Sequence, residues 1–330
     1  MKKKIAITFW VPPEVTAVVT DEFEVIAPKE KINGVFPMEE IRAMLPNIDG
    51  ILVSAENVTR DLIDLGLGGK LRVIGRNGVG CDSVDYKYAG EKGIPVINTP
   101  DGVTDSTAEL TIALILDAAR NVARLDRKLR RDGSCIMPSG FDGMSCTVNK
   151  KTLGIIGFGR IGKRVAKKAR ALGMNIIYSD MIAAPKEVEE EVGAKRMTTE
   201  EVIGQADFVT LHCPYIPENH HLINKKTLAM MKPGAYLVNA SRGKMVNEAD
   251  LVDALKTGVV KGAALDVYEN EPAINPELMR LENVVMVPHV GTCCYEARVE
   301  MARESLTGMM AVLRGENPPN IFNREFLAKK

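Results

Sequence analysis

The chain lacks an excess of charge of either sign. Its 330 residues include 43 Lys and Arg and 43 Asp and Glu, so the formal net charge is zero. A neutral protein has no strong field that attracts nucleic acid or an anionic membrane, and any anion site must therefore be local. No apolar run approaches the roughly 18 residues that span a bilayer. We therefore expect neither a nucleic-acid nor a membrane partner.

The sequence also shows no secretion signal and no Cys-x-x-Cys pair. The basic start "MKKKIAITFW" is followed by a short apolar run that "VPPE" interrupts, which predicts a surface segment and a first strand. A chain of this length needs no disulfide framework, so the six cysteines indicate a reducing, cytoplasmic location. Cys293 and Cys294 lie close to His289 and raise the alternatives of a metal site or a thiol nucleophile. Adjacent cysteines rarely bind one zinc together, so we expect no metal.

Short β-rich runs alternate with helical stretches along the whole chain. The runs at 4–10, 50–55, 71–77 and 94–100 predict strands, and "TLGIIGFG" opens a second series. Strands rich in Ile and Val that are separated by helices are typical of parallel sheets buried on both faces. The length suffices for two domains. The predicted fold class is therefore α/β, with two doubly wound parallel sheets.

Two longer helices stand apart from this alternation. The stretch from Thr104 to about Arg130 predicts one helix, which the "STAE" sequence at Ser106–Glu109 opens as a capping box. Its segment "LTIALILDAA" is apolar almost all round, which favours burial at a domain or subunit interface or within an ordinary core. A second, amphipathic helix is expected from about 296 to 315. Because no strand follows it, this helix must pack on a unit formed earlier in the chain.

A glycine pattern predicts a nucleotide site. Gly157, Gly159 and Gly162 form G-x-G-x-x-G between the strand "TLGII" and a helix, and the next strand ends in Asp180. The helix N-terminus attracts phosphates, and Asp180 can accept hydrogen bonds from the adenosine ribose hydroxyls. A carboxylate at this position repels a 2′-phosphate, and the following "MIAAP" supplies no arginine to bind one. The pattern therefore favours NAD over NADP.

Arg242, Glu271 and His289 each follow a predicted strand, at the sheet edge where doubly wound folds bind ligands. Taken singly, Arg242 and Glu271 could be surface charges, and His289 could be a core residue bonded to a backbone carbonyl. Together they suit catalysis beside a bound nucleotide. A histidine donates protons near neutral pH, a carboxylate orients it, and an arginine binds a carboxylate group.

The motifs in this order resemble the D-isomer-specific 2-hydroxyacid dehydrogenases, including glyoxylate and hydroxypyruvate reductases. They run from "GRNGVGCDSVD" through "NTPDGV", "GFGRIG", "HCPYIPENHHLI", "NASRGKMVNEADL" and "ALDVYENEP" to "VPHVGT". The resemblance implies an NAD-dependent enzyme that reduces a small 2-oxo acid to the D-2-hydroxy acid. It transfers the catalytic roles to Arg242, Glu271 and His289. Glu271, directly before Pro272, matches the family position, whereas Glu269 does not.

The same resemblance assigns further residues to substrate and cofactor. It places the backbone N–H groups of Val79 and Gly80 at the substrate carboxylate. Beside the three glycines and Asp180, it places these residues around NAD: Arg160 and Ile161 at the pyrophosphate, Cys213 and Pro214 at the adenosine, and Ala240 and Asp266 at the nicotinamide. Thr104 either contacts the cofactor or only begins a helix.

The resemblance also implies a domain organisation. Residues 1–100 with 298–330 correspond to a flavodoxin-like substrate domain, and 101–297 to a NAD-binding Rossmann domain. The active site is expected in the cleft between them. The long helix after Thr104 corresponds to the family's dimer-forming element, so a homodimer is expected.

Some positions depart from the patterns of individual family members. The stretch "LVSAENVT" has no basic residue where members that act on phosphorylated substrates carry an arginine, which disfavours 3-phosphoglycerate. Val79 stands where phosphite-oxidising members have a lysine. The segment 132–148 lacks a tryptophan that often lines the pocket, so the exact 2-oxo acid stays open. Family corepressors that sense NAD and bind peptides give a further alternative, although no peptide-docking extension is evident.

Overall fold

The computed structural model describes residues 1–29, 34–135 and 144–327. The strands are β1 (Lys3–Ile7), β2 (Phe23–Ile26), β3 (Gly50–Val53), β4 (Val73–Arg76), β5 (Val96–Ile97), β6 (Thr152–Ile156), β7 (Asn175–Ser179), β8 (Ala194–Arg196), β9 (Phe208–Leu211), β10 (Tyr236–Asn239), β11 (Gly262–Leu265) and β12 (Val284–Met286). The α-helices are α1 (Pro13–Thr16), α2 (Met38–Met44), α3 (Arg60–Leu67), α4 (Tyr86–Glu91), α5 (Thr104–Arg120), α6 (Val122–Asp132), α7 (Arg160–Ala171), α8 (Lys186–Val192), α9 (Thr199–Gln205), α10 (Lys225–Met230), α11 (Glu248–Thr257), α12 (Pro276–Met279) and α13 (Tyr295–Arg314). None of the helices described is both long enough and apolar enough to cross a membrane.

The chain divides into two compact units. Unit 1 is Met1–Val103 with Thr292–Lys330, and unit 2 is Thr104–Gly291. Unit 1 holds a five-stranded sheet in the order β2-β1-β3-β4-β5, and unit 2 a seven-stranded sheet in the order β12-β11-β10-β9-β6-β7-β8. The paired strands of both sheets are parallel. The first order is flavodoxin-like and the second is a Rossmann order with one added strand, which confirms the predicted fold class.

Unit 2 consists of a sheet covered on both faces. Successive side chains of a strand point to opposite faces, so Leu237 of β10 joins one apolar cluster while Tyr236 and Val238 join the other. Helices α9, α10 and α11 contribute to the first cluster, and α5 and α7 to the second. All residues of β9 and β10 are buried. Burial on both faces explains why these strands read as continuous apolar runs in the sequence.

Helix α13 belongs to unit 1, although it is formed by the end of the chain. Its residues Leu306 and Met309 share an apolar cluster with Ile5 and Ile7 of β1. A Cβ added to Gly75 of β4 would overlap the Met309 side chain, so the helix lies very close to the sheet. The predicted helix at about 296 to 315 therefore forms, and it packs on the sheet built by the N-terminal residues.

The predicted single helix after Thr104 is two helices. Asn121 separates α5 from α6 with a left-handed backbone, at φ 57°. The Asp117 carboxylate accepts the N–H of Ala123 at 2.9 Å, which binds the first turn of α6 to the end of α5. The predicted capping box is also wrong, because α5 begins at Thr104 and Ser106 lies inside it. Inside a helix the N–H groups bond to carbonyls four residues earlier, so a Ser-x-x-Glu spacing there does not mark a terminus.

Candidate active site

The turn between β6 and α7 is shaped by its glycines. Gly157 has φ 95°, and a Cβ added to it would overlap the backbone of Cys213. A Cβ on Gly162 would overlap the carbonyl of Gly157, so helix and turn are in direct contact. A Cβ on Gly159 would meet no atom of the described residues within 4 Å. The turn is therefore closed on the protein side and open beside Gly159, which fits the close approach of a dinucleotide pyrophosphate.

Asp180 lies beside this turn, directly after β7. Its Oδ2 accepts the N–H of Phe158 at 2.6 Å, and its Oδ1 accepts the N–H of Ile182 at 2.9 Å. The fold also brings an arginine here: the Arg196 guanidinium donates to the carbonyls of Asp180 (2.8 Å) and Met181 (3.1 Å). The residues directly after Asp180 include no arginine, whereas Arg196 comes from the neighbouring strand β8, which the sequence pattern does not reveal.

The other residues assigned to the cofactor lie at the same edge of the sheet of unit 2. Cys213 and Pro214 follow β9, Ala240 follows β10 and Asp266 follows β11, whereas Arg160 and Ile161 form the first turn of α7 and Thr104 is the first residue of α5. The Ser241 hydroxyl donates to the Cys213 carbonyl at 2.6 Å and joins two of these loops. Burial raises the pKa of the Cys213 thiol to about 11, so the thiol stays protonated and is not a nucleophile.

His289 is not a core residue, because its side chain is 52% exposed. Its Nδ1 lies 2.9 Å from Oε2 of Glu271. An ionised carboxylate can only accept, so Nδ1 carries the hydrogen and donates it. This bond fixes the orientation of the ring and leaves Nε2 as the atom that can exchange a proton with a ligand.

A tight turn presents His289, and Asp266 stabilises that turn. His289 has a left-handed backbone, with φ 52°, and its N–H donates to the Asp266 carbonyl at 2.8 Å. The two carboxylate oxygens of Asp266 accept the N–H groups of Val290 (2.6 Å) and Gly291 (3.0 Å). Burial raises the pKa of Asp266 despite these bonds. The family resemblance predicts a nicotinamide contact for Asp266, but it gives no signal for these contacts of Asp266 with the His289 turn.

The electrostatic environment of Glu271 connects it to Arg242. Burial alone would raise the pKa of Glu271, but hydrogen bonds from His289 and from the N–H of Tyr268 (2.9 Å), with the charge of Arg242, lower it below the usual value. Arg242 follows β10, Glu271 follows β11 and His289 follows β12, and these strands are neighbours in the sheet. The sheet therefore brings together three groups that are 47 positions apart at most along the chain, from Arg242 to His289.

Val79 and Gly80 lie in unit 1, in the loop after β4. The Asn98 side-chain amide donates to the Val79 carbonyl at 3.0 Å, and the N–H of Thr99 donates to the Gly78 carbonyl at 3.1 Å. The loop is thus bound through its carbonyl groups to the residues that follow β5. Its predicted contact with a substrate carboxylate stays a prediction.

The family pattern excludes Glu269 from the catalytic position and assigns no role to His221, yet the two side chains are hydrogen-bonded in the structure. His221 Nε2 lies 2.6 Å from Oε1 of Glu269. No sequence signal connects two residues on loops so far apart in the chain. Cys293 and Cys294 are both exposed, and the residues that the structure describes form no group of three or more potential metal ligands. Part of the segment 132–148, namely 136–143, lies outside the described residues.

Several known proteins match the chain over nearly its whole length. Residues 112–291 match the family model described as "D-isomer specific 2-hydroxyacid dehydrogenase, NAD binding domain". The chain is 38% identical to a glyoxylate reductase of Thermococcus litoralis, over 99% of this chain and 98% of the relative. It is 39% identical to a glyoxylate reductase of Pyrococcus horikoshii, again over 99% and 98%. The crystal structure of a glyoxylate reductase from Paecilomyes thermophila superposes with a TM-score of 0.81, at 31% identity, over 98% of this chain and 99% of that one.

Proposed function

The chain belongs to the D-isomer-specific 2-hydroxyacid dehydrogenase family, and from this premise we propose that it reduces small 2-oxo acids such as glyoxylate and hydroxypyruvate with NADH, giving the D-2-hydroxy acid where the product is chiral. As a member of this family it is an NAD-dependent oxidoreductase that acts on CH–OH groups. The observation that carries the proposal is the hydrogen bond of 2.9 Å between His289 and Glu271. The two residues follow neighbouring strands, and Arg242 follows the next strand of the same sheet.

His289 is the proposed proton donor. Bound NADH supplies the hydride for the carbonyl carbon, and the carbonyl oxygen needs a proton at the same time. Nε2 of protonated His289 gives that proton, since Nδ1 is engaged by Glu271. The Glu271 carboxylate stabilises the positive ring and holds its orientation. In the reverse direction, neutral His289 accepts the proton of the hydroxy acid through the same atom.

Arg242 is the proposed binding group for the substrate carboxylate. A guanidinium offers two parallel donors to a carboxylate and also polarises an adjacent carbonyl. One donor, Nη1, bonds to the Ser241 carbonyl at 2.8 Å, which restrains the side chain. The N–H groups of Val79 and Gly80 are the second proposed contact of the carboxylate, and Thr104, Arg160, Ile161, Cys213, Pro214, Ala240 and Asp266 are the proposed cofactor contacts.

The turn after β3 supports a substrate without a second negative charge. Its Glu56 carboxylate accepts the N–H of Ser54 at 2.7 Å, so an acidic group occupies the turn where family members that act on phosphorylated substrates often have an arginine. A phosphate or a second carboxylate would be repelled here. The printed names of the two archaeal relatives, both glyoxylate reductases, favour the same small substrates.

Asp180 supports NADH as the preferred cofactor. A 2′-phosphate placed against its carboxylate would bring two anions together, whereas ribose hydroxyls can donate to it. Arg196 offers a positive charge nearby, but its guanidinium already donates to two backbone carbonyls. We therefore expect the natural chain to prefer NADH, because repulsion of the 2′-phosphate by Asp180 outweighs its attraction by Arg196.

Helix α6 supports the proposed homodimer. Its residues Val122, Leu125 and Leu129 are 60%, 42% and 50% exposed, and they lie on one face of the helix at a spacing of three and four. An exposed apolar stripe of this kind marks an interaction surface, and a second copy of the chain is the partner that the family resemblance implies. Sedimentation equilibrium of the purified protein tests this: a dimer is expected, and a monomer would contradict it.

A cytoplasmic location is also part of the proposal. All six cysteines are free thiols. Free thiols persist in reducing compartments, and two of these, Cys293 and Cys294, are exposed and adjacent.

The direct test is oxidation of NADH or NADPH by the purified protein with a panel of 2-oxo acids. We expect kcat/KM with NADH and glyoxylate or hydroxypyruvate to be on the order of 10⁴ M⁻¹s⁻¹ or more. We expect NADPH to be at least about tenfold less efficient. NADH binding without turnover of any 2-oxo acid would contradict the proposal and favour a sensor of NAD. Equal efficiency with NADPH would contradict only the role of Asp180.

A further inference from the structure

A second histidine–carboxylate pair lies outside the residues assigned to catalysis. We propose that His221 and Glu269 form a positioning pair, which holds the loop of Glu271 against the loop of Arg242 and so sets the geometry of both groups. The inference rests on the proposed reductase function for its effect on turnover. Its structural part, the connection between two loops, does not depend on that function.

The Glu269 side chain is the centre of the pair. Its Oε1 accepts the Nε2–H of His221 at 2.6 Å, and its Oε2 accepts the N–H of Glu248 at 3.3 Å. The Glu248 carboxylate returns the bond by accepting the N–H of Glu269 at 2.8 Å. One carboxylate thus joins three segments: the loop after β9, the first turn of α11 and the loop after β11.

The backbone around His221 binds the segment that follows Arg242. The N–H of His221 donates to the Lys244 carbonyl at 3.0 Å, and the N–H of Ile223 donates to the Met245 carbonyl at 2.9 Å. The N–H of Asn247 then donates back to the Ile223 carbonyl at 2.8 Å. His221 itself has a left-handed backbone, with φ 51°.

The loops of Arg242 and Glu271 are in direct backbone contact. A Cβ added to Gly243 would overlap the Tyr268 carbonyl, so only a glycine permits this approach. Tyr268, on the far side of the contact, donates its N–H to Oε1 of Glu271 at 2.9 Å. A shift of the 268–269 backbone away from Gly243 would therefore displace the donor that orients Glu271.

Charge makes the His221 donor necessary for this arrangement. Glu248 is only 5% exposed, and its pKa is raised by burial and by the nearby charges of Glu269 and Glu271. Three carboxylates thus lie close together. If His221 no longer donated to Glu269, that carboxylate would keep its like-charged neighbours and lose its strongest partner. We expect it then to turn towards water and release the bond to Glu248.

Two substitutions of His221 separate the donor from the backbone. His221→Asn keeps a residue that tolerates a left-handed backbone, but its amide is too short to reach Glu269. His221→Gln places an amide N–H near the position of Nε2. His220→Asn is the matched control. His220 is exposed, and its ring stacks on that of His221 with 3.8 Å between the ring centroids, but the described structure shows no hydrogen bond from it to Glu269.

For His221→Asn we expect kcat to fall about tenfold, while the Kd of NADH changes by less than about twofold, since misplacement of catalytic groups affects chemistry more than cofactor binding. His221→Gln should recover most of the lost kcat, and His220→Asn should keep the wild-type value. Because His221 acts in part through Glu271, the Asn substitution should cost clearly less in a Glu271→Gln background than in the wild-type background. Equal costs in both backgrounds, or normal kcat in His221→Asn, would overturn the proposal.

Hydrogen exchange measured by mass spectrometry gives a readout that needs no turnover. We expect His221→Asn to increase deuterium uptake in peptides covering 242–248 and 266–272, with no change in 152–165. Increased uptake together with an inactive wild-type protein would leave the positioning pair intact and refute the reductase function. Unchanged uptake in an active enzyme would refute the pair and leave the function standing.

Discussion

Among the single residues, His289 matters most, and its proposed role depends on which ring nitrogen faces the substrate. The bond from Nδ1 to Glu271 answers this through chemistry, because a carboxylate cannot donate. The pKa of Glu271 lies below its ordinary value of 4.5, so the carboxylate stays charged at every pH at which the enzyme is expected to work. The lowered pKa of Glu271 stabilises the folded protein fully at pH values above 4.5. This stabilisation is lost as the pH falls through the pKa that Glu271 has in the folded protein.

Glu271→Gln should therefore change the pH dependence of reduction. The variant keeps a hydrogen-bond acceptor for His289 but removes the negative charge that stabilises its protonated form. We expect the pH at which reduction falls to half its maximum to move to lower pH, and the corresponding rise of alcohol oxidation to move with it. Rate profiles of both directions between acid and alkaline pH check this. Profiles that superpose on those of the wild type would show that Glu271 does not act on His289 through its charge.

The sequence predicts the three residues proposed for this chemistry but not the contacts that hold them. Arg242, Glu271 and His289 follow apolar runs, and the order of motifs resembles one family, so local patterns are enough to propose these residues. The bond from Asp266 to the His289 turn and the approach of Arg196 to Asp180 depend on which strands become neighbours. That information is absent from the spacing of residues along the chain.

At the scale of elements, the turn between β6 and α7 shows two uses of glycine. Gly157 is needed by the fold, because its backbone is left-handed and its Cα faces the backbone of Cys213. Gly159 has φ −74°, which any residue adopts, and faces open space. The fold therefore does not require the second glycine, and we predict that it leaves space for a ligand.

Alanine substitutions should separate these two uses. Gly157→Ala should lower the free energy of unfolding by more than about 1 kcal/mol, because the added methyl group overlaps backbone at a positive φ. Gly159→Ala should keep the melting temperature of the wild type and weaken NADH binding at least about tenfold, since its methyl group occupies the space of the pyrophosphate. Thermal melts and fluorescence titration with NADH measure both. Normal NADH affinity in Gly159→Ala would contradict the location of the cofactor.

Element boundaries show where sequence patterns are weak. Strands β2 and β8 lie at the edges of their sheets and were not predicted. β8 reads "AKR", with no apolar run, because an edge strand is only partly covered. The break at Asn121 was missed for a different reason: apolar periodicity continues across it, and only the left-handed backbone reveals the change of direction. Central strands and buried helices are predicted because burial on all sides requires a continuous run of apolar residues in the sequence.

At the scale of the whole molecule, the two units differ in how the chain builds them. Unit 2 is one uninterrupted segment with its own apolar clusters. Unit 1 needs both ends of the chain, because α13 contributes Ala302, Leu306, Met309, Met310 and Leu313 to one of its two clusters. The composition and the resemblance gave two domains, but only the packing of α13 shows why the last residues cannot be separated from the first.

Fragments should reproduce this difference. Each buried Leu or Met side chain contributes about 1.5–3 kcal/mol, so loss of the four from α13 removes about as much as the whole stability of an average domain, roughly 5–15 kcal/mol. We expect residues 104–291 alone to melt cooperatively and to bind NADH, and residues 1–103 alone to show no cooperative melt by circular dichroism. A chain that joins 1–103 to 292–330 through a flexible linker is the control and should fold. Cooperative folding of 1–103 would contradict the role assigned to α13.

Whether His289 donates the proton is decided by the turnover of His289→Asn per folded molecule, measured with NADH and the best 2-oxo acid of the wild type. Asparagine suits the left-handed backbone of this position, so the fold should persist. We expect a loss of kcat on the order of 10²–10⁴, the usual contribution of acid–base catalysis, with an unchanged melting temperature and intact NADH binding. A stable His289→Asn protein that retains most of the wild-type kcat would contradict the role of His289 as proton donor.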